Sequence, residues 1–387
     1  MPSTKEDLQK ILGVLAGLDL TDPEDASTAT RHIKKMQLAV AAMEATKDTV
    51  ITAENPWEFT VEKGFCFGRK YVVKRQLSEM KPIYLCSRTL FEDAEDTIGN
   101  DVVVKCTFVP KDADEERVKR IAEQEKRSIR AIGVDTSDCP YSAGLIDAGE
   151  LTTPEGRVVV YWQAFKAMKC DAKNLQSVMG GDIPPFIIMQ MARQIIDALV
   201  HYHGVGIFHR DIKPHNILCT WPEHPSLREI WKLLINFALT DTQLVMGTVI
   251  DSSISEKGML VGTPQYMPPE QIVDPSSVTD KSDIWSLAVT LYELATGEFP
   301  HPVIVSKSGL RNITEVPPKL FSRHLKAIDY PKCFQDLMDR SLSMDPRVRP
   351  RAYDWFATLY TQDTRMPLTF ETAPLPLLEQ GEVVPPE

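Results

Sequence analysis

The sequence has few features of a secreted protein, a membrane-spanning protein or a protein stabilised by a structural metal. Its seven cysteines are scattered, odd in number and without a C-x-x-C pair, which excludes a disulfide framework or a common zinc site and predicts free thiols in a reducing compartment. No apolar run approaches the roughly 18 residues that a membrane-spanning helix needs. Glu6 and Asp7 precede the first short apolar run, unlike in a secretory signal. We therefore expect a cytoplasmic protein without a membrane partner.

The chain has an excess of negative charge, with 54 Asp and Glu residues against 43 Lys and Arg residues. The net charge of −11 argues against nucleic acid or an anionic membrane surface as the main partner. The apolar fraction of 43% and the charged fraction of 25% are typical of a globular protein. The length of 387 residues allows one large two-lobed domain with extensions, or two or three ordinary domains.

Residues 207–218 carry polar side chains that packing does not explain. Pro214 lacks an N–H and restricts the residue before it, so the segment is predicted to be a loop between two strand-like ends. A surface turn with incidental charges is one interpretation, and a site for chemistry on a rigid scaffold is the other. The loop's functional side chains are His209, Arg210, Asp211, Lys213 and Asn216.

The order His-Arg-Asp-x-Lys-Pro-x-Asn in this loop resembles the catalytic loop of eukaryotic protein kinases. The resemblance covers about residues 70–360 and is most specific from 187 to 295. It implies an α+β, bilobal protein-kinase fold, with a small antiparallel-sheet N-lobe and a mainly helical C-lobe, preceded by a helical hairpin. The expected domains are a helical extension at 1–66, a kinase-like domain at 67–361 with lobes at 67–165 and 166–361, and a disordered tail, rich in proline and acidic residues, at 362–387.

Alternating apolar residues predict the strands of the small lobe. In the resembling family the first two strands flank a glycine-rich loop over the ATP phosphates. Here that connection, residues 77–83, contains no glycine, while an alternative register at 64–68 keeps Gly64 and Gly68. Either loop is degenerate, because a backbone without enough glycines cannot approach phosphates closely. The strands are predicted at 71–73, 83–86, 102–106, 144–146 and 158–162.

Lys105 ends a Val-Val-Val-Lys run and is similar to the strand-three lysine that grips the α- and β-phosphates. A solvated lysine at a strand end is the alternative. Its partner should be a glutamate on the next helix, for which Glu123 and Glu125 are candidates. Glu125 is preferred, because it shares that helix's apolar stripe. The resemblance further implies that the segment from Gln163 to Phe165 is the hinge whose backbone binds adenine.

The resemblance assigns roles to the catalytic loop. Asp211 would accept the proton of the acceptor hydroxyl, Lys213 would steady the γ-phosphate, and Asn216 would be one magnesium ligand. Asn236 stands where the family has its metal-binding aspartate, and Ala238 stands where it has glycine. Unit charges ~4 Å apart interact by about 4 kcal/mol at a dielectric of ~20. A missing carboxylate therefore predicts a rate loss on the order of a thousandfold.

The larger lobe is expected to continue the resemblance. A core helix is predicted at 186–203, and residues 262–270 are similar to the end of a kinase activation segment, with Thr263 facing the substrate. Asp283 would open a buried central helix, and Arg349 would pair with Glu270.

Other segments have more than one interpretation. The apolar stripes of two predicted helices at 4–48 indicate either packing on the neighbouring domain or a docking or dimerisation element. His201, His203 and His209 have no common zinc spacing, so a metal cluster is not predicted. Residues 221–231 are an extra segment relative to the family, and Ser252, Ser253 and Ser255 are candidates for phosphorylation or ordinary loop serines.

Two functions follow from these residues. The first is a pseudokinase, a binding, regulatory or scaffolding module with impaired magnesium-dependent transfer. The second is an active atypical Ser/Thr protein kinase that compensates for Asn236. A small-molecule kinase is a more distant third. The implied cofactor is ATP, with weak binding expected and magnesium in doubt, and the implied partner is a protein.

Overall fold

The structure is a computed structural model. The helices predicted at 4–48, Glu125, the extra segment after Trp221 and the tail lie outside the residues that it describes. The chain forms two compact units: the described residues up to 118 and those at 145–167 belong to the first, and Tyr141 and the described residues from Met168 onward belong to the second. The described residues are 60–77, 82–88, 101–114, 116–118, 141, 145–204, 206–221, 235–239, 245–246, 263–274, 277–302 and 314–361.

The described part of the first unit contains a six-stranded antiparallel sheet in the order β1-β2-β3-β4-β6-β5. Every strand predicted for this unit is present and is longer than predicted. The short β1 was not predicted, because two residues cannot show an alternating pattern. The strands are β1 Cys66–Phe67, β2 Tyr71–Gln76, β3 Ile83–Arg88, β4 Asp101–Phe108, β5 Leu145–Thr152 and β6 Val158–Lys166.

One face of this sheet forms the core of the first unit. In β4 the buried residues Val102, Val104 and Cys106 alternate with half-buried neighbours. Trp162 of β6 joins the same core and lies directly against Gly149, where an added Cβ would be 2.5 Å from the indole. The absence of a side chain at Gly149 therefore makes room for the largest ring of this core.

The second unit is mainly helical. The prediction of a core helix at 186–203 is confirmed by α2. The central α4 has Thr279 as its N-cap and ends at Gly297, whose φ of 79° is left-handed. Every residue from 282 to 296 is buried, so α4 is the core helix that was expected to begin near Asp283. The helices are α1 Ala172–Val178, α2 Pro185–Gly204, α3 Pro269–Val273, α4 Asp280–Thr296, α5 Lys332–Ser341 and α6 Ala352–Thr361.

Short strands hold both ends of the loop at 209–216. Before the loop, β8 Ile207–Phe208 pairs with β11 Val245–Met246. After it, β9 Ile217–Thr220 lies between β7 Cys170–Asp171 and β10 Asn236–Leu239. In the described parts of the chain, no helix is long and apolar enough to cross a membrane.

Candidate active site

A buried carboxylate fixes the backbone of the loop. Asp283, in the first turn of α4, accepts hydrogen bonds from the backbone N–H groups of His209 at 2.9 Å and Arg210 at 2.8 Å. Its Oδ2 also lies 2.9 Å from His203 Nε2. Arg210 has φ of 64°, a left-handed conformation that costs energy for a side chain of this size. The hydrogen bonds to Asp283 therefore hold the loop in a conformation that it would not adopt alone.

The environment keeps Asp283 charged. Complete burial by itself would raise the pKa of this carboxyl group. The hydrogen bond from His203, the nearby imidazoles of His203 and His209, and the N–H of Arg210 outweigh burial, so the pKa lies below its ordinary value. Sequence reasoning identified Asp283 only as the start of a helix and missed this positioning role. The signal for it in the sequence was an acidic residue directly before the apolar residues Ile284 and Trp285.

Asp211 is nearly buried, and both of its carboxylate oxygens are engaged. Oδ1 accepts a hydrogen bond from the backbone N–H of Thr263 at 3.2 Å. Oδ2 accepts one from Asn216 Nδ2 at 2.8 Å and lies 3.1 Å from Lys213 Nζ. Lys213 also donates to Thr263 Oγ1 at 2.6 Å. The structure thus brings together the three predicted catalytic-loop residues and the threonine predicted to face substrate.

The side chain of Asn216 is held in one orientation. Its Nδ2 donates to the backbone oxygen of Asp211 at 2.6 Å and to Oδ2 of the same residue at 2.8 Å. Because both bonds use the amide nitrogen, the amide oxygen Oδ1 lies on the opposite side and is the side-chain atom suited to accept from a ligand.

Asn236 is the first residue of β10, opposite Thr220, and its side chain is exposed. The next residue, Phe237, is buried, and its N–H donates to Gln194 Oε1 at 2.7 Å. Ala238 stands where the family has glycine. It is also buried and has the extended backbone of the strand. The neutral amide of Asn236 is therefore carried by a well-anchored strand.

These donors do not fit a tightly held magnesium ion. Mg²⁺ prefers anionic oxygens in octahedral geometry, whereas Asn216 and Asn236 offer only neutral amide oxygens. The carboxylate of Asp211 already has three partners. Within the ranges that the structure describes, no group of three or more His, Cys, Asp or Glu residues is arranged to hold a metal ion. Of the three histidines considered above, His203 contacts Asp283 and His209 is completely buried.

Lys105 lies in the middle of β4, opposite Ile83 on one side and Gln163 on the other. It is half-buried and alternates with Val104 and Cys106, whose side chains are in the core. Lys105 therefore projects from the face of the sheet that does not form this core. Glu125 lies outside the described residues, so its pairing with Lys105 stays a prediction.

The predicted hinge lies at the end of β6. β6 extends to Lys166, with Gln163 opposite Lys105 and Phe165 opposite Val103, and β5 pairs with the other edge of β6. The chain leaves the sheet after Lys166, one residue beyond the predicted hinge. The prediction that the backbone of 163–165 binds adenine stays a prediction.

The strand pairing distinguishes the two alternative positions of the phosphate loop. β2 and β3 pair as antiparallel neighbours immediately before the strand that carries Lys105, so residues 77–82 connect the expected strand pair. Gly64 and Gly68 instead flank β1. The placement favours the register without glycine, although residues 78–81 are not among those described.

The predicted pairing of Arg349 with Glu270 is confirmed. The guanidinium is fully buried and donates through Nη1 to Oε1 at 2.6 Å and through Nη2 to Oε2 at 2.8 Å. It also lies over the indole of Trp285, 4.8 Å from the ring centroid. This bidentate pair ties α3, which follows the Thr263 turn, to the segment before α6.

Comparison with known proteins agrees with this geometry. Residues 160–361 match the family described as Protein kinase domain, which is slightly more than half of the chain. The chain is similar to the serine/threonine-protein kinase ppk11 of Schizosaccharomyces pombe, with 32% identity over 185 residues, 47% of this chain and 53% of that protein. It is also similar to human dual specificity mitogen-activated protein kinase kinase 7, with 29% identity over 238 residues, 59% of this chain and 51% of that protein.

Other relatives match over shorter stretches. The serine/threonine-protein kinase AfsK of Streptomyces griseus is 35% identical over 162 residues, 41% of this chain and 17% of that protein. The matches to the fission-yeast and human relatives span about half of the length of each. The α+β architecture expected from the sequence, with an antiparallel sheet in one unit and mainly helices in the other, is confirmed. The catalytic roles of Asp211, Lys213 and Asn216 stay predictions. The chain belongs to the protein kinase family.

Proposed function

We propose that this protein is a pseudokinase: a kinase-like module that binds or regulates a protein partner, with impaired magnesium-dependent phosphoryl transfer. The observation that carries the proposal is Asn236, an exposed neutral amide where the family has a metal-binding carboxylate. The other candidate ligand, Asn216, is neutral as well. A divalent cation beside the triphosphate would therefore lack the protein's negative charge, which is worth several kcal/mol by the Coulomb estimate.

The cofactor of the module would be ATP, the phosphoryl donor used in this family. Lys105 supports this assignment, because it projects from the non-core face of β4 with neighbours on both sides. The glycine-free connection at 77–82 and the missing carboxylate both weaken the hold on phosphates, so we propose weak nucleotide binding that does not depend on magnesium. Backbone contacts to the base would come from residues 163–165, at the end of β6, as the sequence predicts.

A second candidate function is an active Ser/Thr protein kinase. It is favoured by the network of Asp211, Lys213, Asn216 and Thr263, in which the proposed base and the substrate-facing residue are already joined. In this alternative, Asp211 orients the hydroxyl of a protein serine or threonine and accepts its proton. The missing negative charge would have to come from a residue outside the described ranges, such as Glu125 or a carboxylate of segment 221–231.

The partner of the module would be another protein. Its relatives are named as protein kinases, which supports a protein ligand or substrate. The helices predicted at 4–48 offer an apolar stripe as a docking element, and this role stays a proposal.

Nucleotide binding to the full chain distinguishes the two functions. We expect the dissociation constant of ATP, measured by calorimetry, to change less than about threefold between EDTA, Mg²⁺ and Mn²⁺. We also expect no phosphate transfer to generic Ser/Thr substrates. Magnesium-dependent transfer that disappears in Asp211→Ala would contradict the pseudokinase proposal and establish the active kinase instead.

A further inference from the structure

Two cysteines far apart in the sequence meet beside the catalytic loop. Cys170 of β7 and Cys219 of β9 are directly opposed residues of adjacent antiparallel strands. Their sulfur atoms lie 3.2 Å apart, and both side chains are buried. The two residues are 49 positions apart, so no local cysteine motif reveals the pair.

The geometry suits a covalent link. Opposed Cα atoms in antiparallel strands are about 4.5–5.5 Å apart, which lies within the roughly 4.4–6.8 Å range of disulfides. The sulfur atoms need to approach by about 1 Å to reach bonding distance. In the described sheet, β7 is a two-residue strand at the edge, so a small shift of one strand would be sufficient.

We propose that Cys170 and Cys219 are a reversible oxidation site, at which a peroxide converts the two thiols into a disulfide that joins β7 to β9. This inference does not depend on whether the protein transfers phosphate. In the described part of the chain both residues are thiols, and no cysteine forms a disulfide.

The reaction is balanced with hydrogen peroxide as the oxidant. The sulfur of Cys170 attacks one peroxide oxygen, the O–O bond breaks, and the departing hydroxide takes the thiol proton to form water, which leaves a sulfenic acid. The sulfur of Cys219 then attacks the sulfenic sulfur, the S–S bond forms, and the S–O bond breaks with release of a second water. The two thiols lose two electrons and two protons, and the peroxide is reduced to two water molecules.

The surroundings assign this order to the two thiols. Cys219 donates its S–H to the backbone oxygen of Cys170 at 3.2 Å. Burial, followed by the contact with Cys170, raises the pKa of the Cys219 thiol well above its ordinary value, so it stays protonated. Cys170 lies on the edge strand and becomes accessible when β7 opens, which makes it the first thiol to react. Because opening must come first, the reaction should be slower than oxidation of an exposed thiol.

The disulfide would connect two functional elements. Asp171, next to Cys170, caps α1 by accepting a hydrogen bond from the N–H of Asn174 at 2.7 Å. Cys219 lies on the strand that begins directly after Asn216. A disulfide would therefore join the start of α1 to the end of the catalytic loop, and the oxidised protein should melt at a higher temperature than the reduced protein.

Peptide mapping of the full chain tests the proposal without any substitution. The protein is treated with hydrogen peroxide, blocked, unfolded and digested with trypsin. We expect a peptide of residues 170–173 linked to one of residues 211–228, a loss of two titratable thiols from the seven in the chain, and recovery of both thiols with dithiothreitol. Sulfinic or sulfonic acid at Cys170 without the link, or a link from Cys170 to another cysteine, would overturn the proposal.

Substitutions add a matched control. Cys170→Ala and Cys219→Ala should each abolish the reversible loss of two thiols. Cys86→Ala replaces another buried cysteine on a strand of the other unit and should leave the link between 170–173 and 211–228 unchanged. A linked pair that forms equally in Cys170→Ala would show that the thiols lost belong to other residues. The peptide mapping of the wild-type protein needs no variant, so it still tests the proposal if a variant fails to fold.

Discussion

At the scale of single residues, the proposed loss of metal-dependent transfer depends on the amide of Asn236. The side chain is exposed, while Phe237 and Ala238 after it are buried and paired with β9. The position of residue 236 is thus set by the strand and not by the chemistry of its own side chain. A change of the side chain should therefore alter the charge without moving the backbone.

We predict that Asn236→Asp strengthens magnesium-dependent nucleotide binding by at least tenfold. The added carboxylate supplies about 4 kcal/mol of attraction to each cation charge ~4 Å away at a dielectric of ~20, and part of this is lost to desolvation. Calorimetric titration of ATP with and without Mg²⁺ measures the change. Asn236→Gln, which stays neutral, should bind as wild type does. If Asn236→Asp also binds unchanged, the glycine-free connection at 77–82 is the larger defect.

Single residues also show which features of the site could be predicted from the sequence. The order of polar residues in the loop predicted the grouping of Asp211, Lys213 and Asn216, because these side chains are only a few positions apart. The role of Asp283 and the contact of Cys170 with Cys219 were not predicted. Both depend on which distant strands and helices become neighbours, and this information is absent from local spacing.

At the scale of elements, the ends of strands were harder to predict than their existence. The strand predicted at 158–162 continues to Lys166, so the predicted hinge at 163–165 lies among its last residues. Residues 163–165 remain extended because β4 and β5 pair with them on both sides, and Lys166 still pairs with β4. A central strand obtains its length from such neighbours, so an apolar pattern alone cannot show where it ends.

The junction of α3 with the segment before α6 gives a prediction on stability. Arg349→Met should lower the free energy of unfolding of the second unit by about 3–5 kcal/mol, because Glu270 would lose its buried bidentate partner. Urea unfolding followed by circular dichroism measures this change.

An exposed ion pair provides the control for this junction. Arg347 bonds to Asp345 through two guanidinium nitrogens, but its side chain is 89% exposed. Arg347→Met should leave the unfolding midpoint unchanged, because solvent screens such a pair. Equal effects of the two substitutions would mean that the pairing of Arg349 with Glu270 contributes no more than a surface contact.

At the scale of the whole molecule, stability should depend on pH through a buried histidine. His301 stacks on Trp285, with ring centroids 6.5 Å apart and an interplanar angle of 10°, and its Nδ1 lies 3.1 Å from Gln265 Nε2. Burial lowers the pKa of His301 below its ordinary value of 6.5, and hydrogen bonding with Pro302 and Gln265 opposes this only in part. The folded protein therefore holds this imidazole neutral at a pH where the unfolded chain binds a proton.

The sign of the pH effect follows from this difference. Well above pH 6.5, the ordinary pKa of His301, both states are neutral and the residue has no effect on stability. As the pH falls below that value, the unfolded state binds more protons, so stability decreases by up to about 1.4 kcal/mol per pH unit until the folded protein is protonated as well. His301→Asn removes this titration and should flatten the decrease in the urea midpoint between pH 6.5 and 5.5. Equal slopes for wild type and His301→Asn would show that acid destabilisation arises from other groups.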